Sequence, residues 1–299
     1  MYVPDGPARQ LFGGLHRICH HNFLPRISDC ILTPTKTTEP DLTNRWRQTG
    51  QCLTDIDLGS FHPDNKSTQW GQLWMERKHE FLKTTDSQHL IICVSRLARE
   101  KNIEELLQAM TQLPNCALWL VGDGNHRCEL EQISAQSNAA SRVKFWGYQK
   151  GKALHAAYAV ADVFVCPSLT ETFGQTVNEA LASEVKVALP RVSVFVEAYG
   201  ECLPSSAYWQ PNNLKAMVET IRTQLNTDRL PDRSKLKSWN RACLSLLKQY
   251  HTIQVPAEES LWFLSILPLW WLLTFLFAIC LCVVSAFSLM RHKSSLPSN

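Results

Sequence analysis

The sequence lacks several patterns that would place it in a familiar class. No CxxC pair occurs among its eleven cysteines, which argues against a zinc ribbon or a thioredoxin-type redox site. No GxGxxG motif follows a strand-like run, which argues against a plain Rossmann dehydrogenase. Internal repeats and low-complexity tracts are absent too. With 45% apolar and 19% charged residues, the composition is typical of a globular protein.

An excess of one charge is also missing. The 299 residues include 30 Lys and Arg against 27 Asp and Glu, for a formal net charge of +3. We therefore expect no nucleic-acid partner, and any anion site must be local. The first residues, MYVPDGPARQ, contain no apolar run typical of a signal peptide.

The cysteines favour a reducing compartment. Cys280 and Cys282 lie in the hydrophobic tail, which leaves an odd number scattered elsewhere, and this fits free thiols better than a disulfide scaffold. Cys93 and Cys166 lie within apolar strand-like runs, so we expect them to be small buried hydrophobic residues.

One long hydrophobic run is present near the C-terminus. No charged residue occurs from Leu261 to Met290, a stretch longer than the ~20 residues that a membrane-spanning helix needs. Trp262, Trp270 and Trp271 lie in its first half, as interfacial aromatic residues often do. The run 261–290 therefore predicts a single-pass transmembrane helix, followed by a basic tail at 291–299.

Short apolar runs alternate with segments of helical spacing through the middle of the chain. Strands are predicted at 89–94, 117–121, 143–147, 163–167 and 185–189, and helices at 102–113, 129–136, 153–161, 175–182 and 216–225. Upstream, 29–35 reads as a further strand and 66–88 as a polar helical segment. Regular alternation predicts an α/β fold, with a parallel sheet covered by helices on both faces. Such a sheet binds ligands at the carboxyl ends of its strands.

Four segments in order resemble a known family. They are VSRLAREKNIEELLQAM, LWLVGDGNHRCELE, AYAVADVFVCPSLTETFGQTVNEALA and SWNRACLSLLKQY. Together they are similar to the C-terminal, nucleotide-sugar-binding domain of retaining GT-B glycosyltransferases of family 4, the group 1 type. The upstream pieces DCILTPTKTTEPDL and IDLGSFHP resemble the end of the N-terminal domain and the crossing between domains. Several ordered blocks are far more specific than any single one.

The resemblance implies a domain organisation. A Rossmann-like domain is expected at 89–250, after a remnant of the N-terminal GT-B domain at 1–57 and a crossing at 58–88. A complete N-terminal domain would need roughly 100 more residues. That domain normally holds the acceptor.

Arg96 and Lys101 stand in the loop between the strand at 89–94 and the next helix. Glycosyl transfer expels a nucleoside diphosphate, and an enzyme without a metal must neutralise that charge with fixed cations and aimed N–H groups. In the family the Arg and Lys of this loop grip the diphosphate. Outside this pattern, both residues would be ordinary solvated charges.

Glu171 and Glu179 form a Glu-x7-Glu pair. The resemblance implies that Glu171 contacts hydroxyls of the donor sugar and that Glu179 takes the ribose hydroxyls. Phe173 and Gly174 precede the following helix, so their backbone and the helix N-terminus can face a phosphate. The simpler alternative, two surface glutamates, has less support because TFG and EALA flank the pair.

Other positions are less specific or depart from the family. Gly122 and Gly124 flank Asp123 in a tight turn that is expected to bind the donor, although such a turn needs no ligand. Glu184 and Lys186 replace a Gly and a Pro of the family, and the lost Gly removes a helix stop. ProArgValSer at 190–193 replaces a Gly-Gly turn, so side chains there are expected to crowd the donor.

The sequence therefore predicts a membrane-associated, retaining glycosyltransferase, similar to lipid-directed members such as plant and algal sulfoquinovosyltransferases. We expect a nucleotide-sugar donor, a lipid or membrane-proximal acceptor, and neither a metal nor another cofactor. The predicted catalytic residues are Arg96, Lys101 and Glu171; donor binding adds Gly122, Gly124, Phe173, Gly174 and Glu179. The alternative is a truncated or degenerate chain that binds a nucleotide-sugar, or serves as an interaction protein, without catalysis.

Membrane topology stays open. By the positive-inside tendency, the basic tail would lie in the cytosol and the soluble domain on the opposite side of the membrane. Nucleotide-sugars are usually made on the cytosolic or stromal side, and these are reducing compartments. A re-entrant or tilted segment would reconcile the two arguments.

Overall fold

Two short parallel strands precede the main part of the molecule. The computed structural model describes residues 31–33, 49–51, 56–236, 243–244, 246–248 and 251. Strand β1 (Ile31–Thr33) lies within the strand predicted at 29–35 and pairs with β2 (Thr49–Gln51). Residues 31–248, where described, belong to one compact unit.

The apolar runs of the sequence form one parallel six-stranded sheet. Its strands are β3 (His89–Val94), β4 (Cys116–Val121), β5 (Val143–Gly147), β6 (Val163–Val165), β7 (Lys186–Pro190) and β8 (Tyr208–Trp209). Their spatial order is β5-β4-β3-β6-β7-β8, the order of the doubly wound Rossmann fold. The five predicted strands and the predicted α/β fold with a parallel sheet are therefore confirmed. The two-residue strand β8 has no clear signal in the sequence.

Helices cover both faces of this sheet. They are α1 (Gln69–Thr84), α2 (Ile103–Met110), α3 (Arg127–Ala135), α4 (Gly151–Val160), α5 (Gln175–Ala182), α6 (Ser193–Tyr199) and α7 (Leu214–Asn226). Alternate strand residues enter two separate cores: one includes residues of α1, α4, α5 and α6, and the other residues of α2, α3 and α7. Burial on both faces explains why the strands are almost entirely apolar. Cys93 and Cys166 are free and buried, as expected.

Helix α1 packs on the sheet, although its sequence is largely polar. Trp74 is fully buried, and its ring lies 5.1 Å from that of Trp119 on β4. The ammonium of Lys78 donates to a carboxylate oxygen of Asp162 at 2.6 Å and to the carbonyl of Val160 at 2.9 Å. The segment predicted as part of a crossing therefore contributes directly to the core of the sheet unit.

Helix α5 ends normally in spite of the missing glycine. Glu184 has φ 55, in the left-handed region, where the family has Gly. Its N–H donates to the carbonyl of Leu181, and the N–H of Val185 donates to that of Ala180, both at 3.0 Å. These two bonds are a Schellman motif. The expectation that Glu184 removes a helix stop is therefore wrong: the stop persists with a strained residue.

Some predictions fall outside the described residues. The hydrophobic run 261–290, the tail 291–299 and most of the N-terminal segment 1–57 belong to this group. Within the described ranges, no helix is long and apolar enough to cross a bilayer.

The strain at Glu184 predicts that Glu184→Gly stabilises the fold by roughly 0.5–1 kcal/mol. A non-glycine residue in the left-handed region costs ~1–2 kcal/mol. Removal of this cost should exceed the free energy lost because glycine gives the unfolded chain more conformational entropy. Urea unfolding followed by tryptophan fluorescence measures the change. Glu184→Ala is the control because it keeps the Cβ atom and should bring no such gain. Equal stability of the Gly and Ala variants would contradict the assignment of strain.

Candidate donor site at the carboxyl edge of the sheet

The site lies where the strand order reverses. Strands β3 and β6 are neighbours, but the chain first leaves β3 toward β4 and β5 and returns only later to β6. The helices that follow β3 and β6, α2 and α5, pack on opposite faces of the sheet, and the carboxyl edge between these two strands is the usual ligand crevice of this fold. The loop after β3 carries Arg96 and Lys101, and the loop after β6 carries Glu171, Phe173 and Gly174.

Lys101 and Glu171 meet across this crevice. The ammonium of Lys101 donates to a carboxylate oxygen of Glu171. Their side chains are only 18% and 17% exposed, so neither charge is well solvated. A buried charge needs a partner, and each of these residues supplies it for the other. The structure thus brings together two residues that are 70 positions apart in the sequence.

Further hydrogen bonds join the same two loops. The hydroxyl of Thr170 donates to the carbonyl of Glu100 at 3.3 Å, and the side-chain amide of Asn102 donates to the carbonyl of Pro167 at 3.4 Å. Asn102 has φ 53, a conformation that Asn adopts more readily than most residues. Its left-handed backbone separates the short 3-10 turn Arg99–Lys101 from α2. This break places Lys101 at the end of the loop rather than within the helix.

Arg96 lies at the open rim of the site. Its side chain is 67% exposed and pairs with Glu100, four residues on. An exposed pair of this kind contributes little to stability and is screened by salt. The guanidinium can therefore turn toward an incoming anion at small cost.

Glu179 lies on the second turn of α5, as predicted, with an unexpected partner. The hydroxyl of Tyr158 on α4 donates to one of its carboxylate oxygens at 2.8 Å. Burial raises the pKa of Glu179 above its usual range, and the hydrogen bond from Tyr158 partly opposes that shift. Burial also raises the pKa of Tyr158 well above its usual value, and the Glu179 charge adds to it. Tyr158 therefore stays a donor and orients the carboxylate.

Phe173 and Gly174 lie just before α5. Gly174 is the N-cap residue with φ 88, and a Cβ atom there would meet the ring of Phe195 at 2.6 Å. Phe173 is half-buried, with its ring 6.0 Å from that of Tyr199. The backbone at this turn therefore depends on the residues of α6 beneath it.

Gly122 and Gly124 have a structural reason to be glycines. Gly122 has φ +138, and a Cβ on either residue would overlap a carbonyl of the Arg96 loop, that of Ser95 or Leu97. The N–H of Leu97 donates to the carbonyl of Asp123 at 3.0 Å. The Gly-Asp-Gly turn thus supports the Arg96 loop from behind. Direct donor binding by these glycines stays a prediction.

The family departures at β7 fall at its two ends. Lys186 begins the strand and donates to the carbonyls of Leu225 and Thr227, at 3.3 and 3.1 Å, at the C-terminal end of α7. At the other end, the N–H of Arg191 donates to the carbonyl of Trp209 at 2.7 Å, and the side chains of Arg191 and Ser193 are exposed. Crowding of a donor by segment 190–193 stays a prediction.

Among the residues that the structure describes, one group of side chains has atoms close enough for a shared cation. His126 is buried, with Nε2 2.6 Å from Glu104 and Nδ1 3.1 Å from Glu129. The two carboxylates face different nitrogens, so the ring stands between them. Arg99 pairs with Glu129 from the loop after β3. The arrangement ties α2 to α3 beside that loop.

Comparison with known proteins identifies this architecture. The family model for glycosyl transferases group 1 matches residues 75–241, which is more than half of the chain. The chain belongs to this family. Its six-stranded sheet, with the helices on both faces, forms a Rossmann-like domain of the GT-B fold.

Individual relatives match this chain over part of their own length. The sulfoquinovosyl transferase SQD2 of Arabidopsis thaliana is 29% identical over 210 residues, covering 68% of this chain and 39% of that protein. Alpha-monoglucosyldiacylglycerol synthase of Acholeplasma laidlawii is 28% identical over 144 residues, covering 47% of this chain and 35% of that protein. The matched region thus spans less than half the length of either relative.

Solved structures agree on the fold. Anabaena HepE in complex with UDP-glucose superposes with a TM-score of 0.59 and 18% identity, over 73% of this chain and 59% of that one. At this level of identity the similarity concerns the fold alone.

The contact between Tyr158 and Glu179 gives a titration test. Tyr158→Phe should raise the pKa of Glu179 further, because the lost hydrogen bond favours the ionised carboxylate. Carbon-13 NMR titration of the glutamate carboxyl groups measures this shift. Tyr208→Phe is a matched control, since its hydroxyl contacts the carbonyl of Phe195 and not Glu179. An unchanged titration of Glu179 in Tyr158→Phe would show that the hydroxyl does not hold the carboxylate.

Proposed function

We propose that the chain binds a nucleotide-sugar and transfers its sugar, with retention, to a lipid or membrane-proximal acceptor. The observation that carries the proposal is the pairing of Lys101 with Glu171 at the point where the strand order reverses. A diphosphate requires a cation, and a sugar requires oxygen acceptors for its hydroxyls. This pair offers both groups at the edge of the sheet where the fold binds ligands.

Donor binding would exchange the partners of the pair. When a diphosphate enters the crevice, the ammonium of Lys101 turns from Glu171 to a phosphate oxygen. The carboxylate of Glu171 is then free to accept hydrogen bonds from the sugar. Arg96 adds a second cation from the rim because its exposed contact with Glu100 is easily broken.

The same cations would assist the chemical step. As the glycosidic bond of the donor breaks, negative charge builds on the leaving phosphate, and fixed cations beside it stabilise the transition state. Both cations come from one short loop that the Gly122–Gly124 turn supports, so little reorganisation is needed.

The nucleoside would lie toward Glu179. A carboxylate with two free acceptor directions suits the two ribose hydroxyls, and the bond from Tyr158 fixes its orientation. The similar fold of HepE, solved with UDP-glucose, supports a nucleotide-sugar as the ligand.

Removal of both cations should weaken recognition of the diphosphate. In Arg96→Ala with Lys101→Met, we expect the affinity for the nucleoside diphosphate to fall by at least tenfold, more at low salt than at high salt, because charge neutralisation is the main contribution. The bare nucleoside should bind as before. Calorimetry with UDP, GDP and ADP, each against its nucleoside, measures both, and circular dichroism checks the fold.

Two results decide between the hypotheses. Unchanged diphosphate affinity in the double variant would remove the proposed donor site. Donor binding by the unaltered chain, without hydrolysis or transfer of the sugar, would favour the non-catalytic alternative.

We also propose that residues 261–290 anchor the domain to a membrane near its acceptor. The support is the uncharged run itself. The name of the Acholeplasma relative, a glucosyldiacylglycerol synthase, agrees with a lipid acceptor.

Deletion of residues 261–299 should move the protein from the membrane pellet to the soluble fraction, because this removes the only long uncharged apolar run of the sequence. Carbonate washing of membranes before fractionation gives the measurement. Removal of the tail 291–299 alone is the control and should leave the protein in the pellet. A deleted protein that still pellets after the wash would contradict the anchor.

A further inference from the structure

Tyr199 makes two contacts with the loop after β6. It is the last residue of α6 and is 1% exposed. Its hydroxyl lies 2.8 Å from the carbonyl oxygen of Gly174 and 3.2 Å from that of Phe173. The one proton of the hydroxyl is shared between these two consecutive carbonyls, and that of Gly174 also accepts from the N–H groups of Val177 and Asn178 in the first turn of α5. Burial raises the pKa of Tyr199 well above its usual value, so the hydroxyl keeps its proton.

Phe195 supports the same loop from one helical turn earlier. It is fully buried, and its ring lies so close to Gly174 that a Cβ atom would clash at 2.6 Å. Residues four apart lie on one face of a helix, so Phe195 and Tyr199 act together. The ring sets how near the loop can approach α6, and the hydroxyl holds it there.

This contact fixes the direction of a peptide group. In a trans peptide the C=O and N–H bonds point in opposite directions. Because Tyr199 holds the carbonyl of Phe173, the N–H of Gly174 points away from α6. The same loop carries Glu171, only two residues before Phe173, into its contact with Lys101.

We propose that Tyr199 is a positioning residue for sugar recognition, which rests on the proposed function of the site. It does not touch the donor. Its hydroxyl holds the Phe173 and Gly174 carbonyls so that Glu171 and the Gly174 amide reach the sugar, which replaces the phosphate contact expected for this amide from the sequence. Arg96, Lys101 and Glu179, which serve the nucleotide, belong to other elements. Loss of the hydroxyl should therefore weaken recognition of the sugar and spare recognition of the nucleotide.

The test compares Tyr199→Phe with Tyr208→Phe in the full chain. Tyr208 is a matched control because its hydroxyl donates to the carbonyl of Phe195 at 3.3 Å, on the same helix, without touching the loop. Calorimetry measures UDP against UDP-glucose and GDP against GDP-mannose. For the pair that binds, we expect Tyr199→Phe to change nucleoside diphosphate affinity by less than about twofold. The ratio of the nucleotide-sugar affinity to the nucleoside diphosphate affinity should fall about tenfold, which is the scale of one buried hydrogen bond.

Equal loss of both ligands, or no loss in Tyr199→Phe, would overturn the proposal. The proposal would also be overturned if Tyr208→Phe lost as much of the sugar-specific affinity as Tyr199→Phe. If Tyr199→Phe does not fold, Phe195→Leu loosens the same loop, because the ring of Phe195 packs against Gly174, and should show the same selective loss.

Hydrogen exchange of the ligand-free protein separates this inference from the proposed function. Amides of residues 171–176 should exchange faster in Tyr199→Phe than in the unaltered chain or in Tyr208→Phe. Unchanged exchange there would refute positioning by Tyr199. Faster exchange in a chain that binds none of the four probes would instead refute the proposed function while the loop contact stands.

Discussion

The pairing of β3 with β6 is the contact on which the site depends. Ile91 and Ile92 align with Val163 and Phe164, and these short strands carry their following loops to the same edge of the sheet. Between them the chain makes its excursion through β4 and β5, so the two loops meet only because the strands pair. Any change that separated β3 from β6 would separate Lys101 from Glu171. The apolar residues of these strands therefore act on the site through the register of the sheet.

The ion pair also explains how a charged site exists without a ligand. Two charges that are mostly withdrawn from water would each be costly alone, and together they neutralise one another. The proposed donor presents the same two chemistries in one molecule, an anionic diphosphate and a set of hydroxyls. Exchange of partners then leaves both charged groups hydrogen-bonded at either stage. Helix α6 supports the loop that carries Glu171, and the Gly122–Gly124 turn supports the loop that carries Lys101.

The sequence predicted the strands well because both faces of the sheet are buried, which makes most of the strands nearly continuous apolar runs. It also placed Lys101 and Glu171 in loops at one edge, since all strands run parallel. It could not show that the two side chains pair, because that depends on strand order and not on spacing. Tyr158 and Tyr199 were missed for a similar reason: each lies among apolar residues of a helix, and only the fold reveals what its hydroxyl contacts. The prediction that Glu184 removes a helix stop was wrong because backbone hydrogen bonds can hold a non-glycine residue in the left-handed region.

The most direct test of the central claim is a structure of the chain with a bound nucleotide-sugar, UDP-glucose or GDP-mannose. We expect the Lys101 ammonium about 3 Å from a phosphate oxygen, at ordinary hydrogen-bond distance, and the Glu171 carboxylate at similar distance from a sugar hydroxyl. The Lys101–Glu171 pair should then be open. A ligand bound elsewhere, with that pair still closed, would contradict the account.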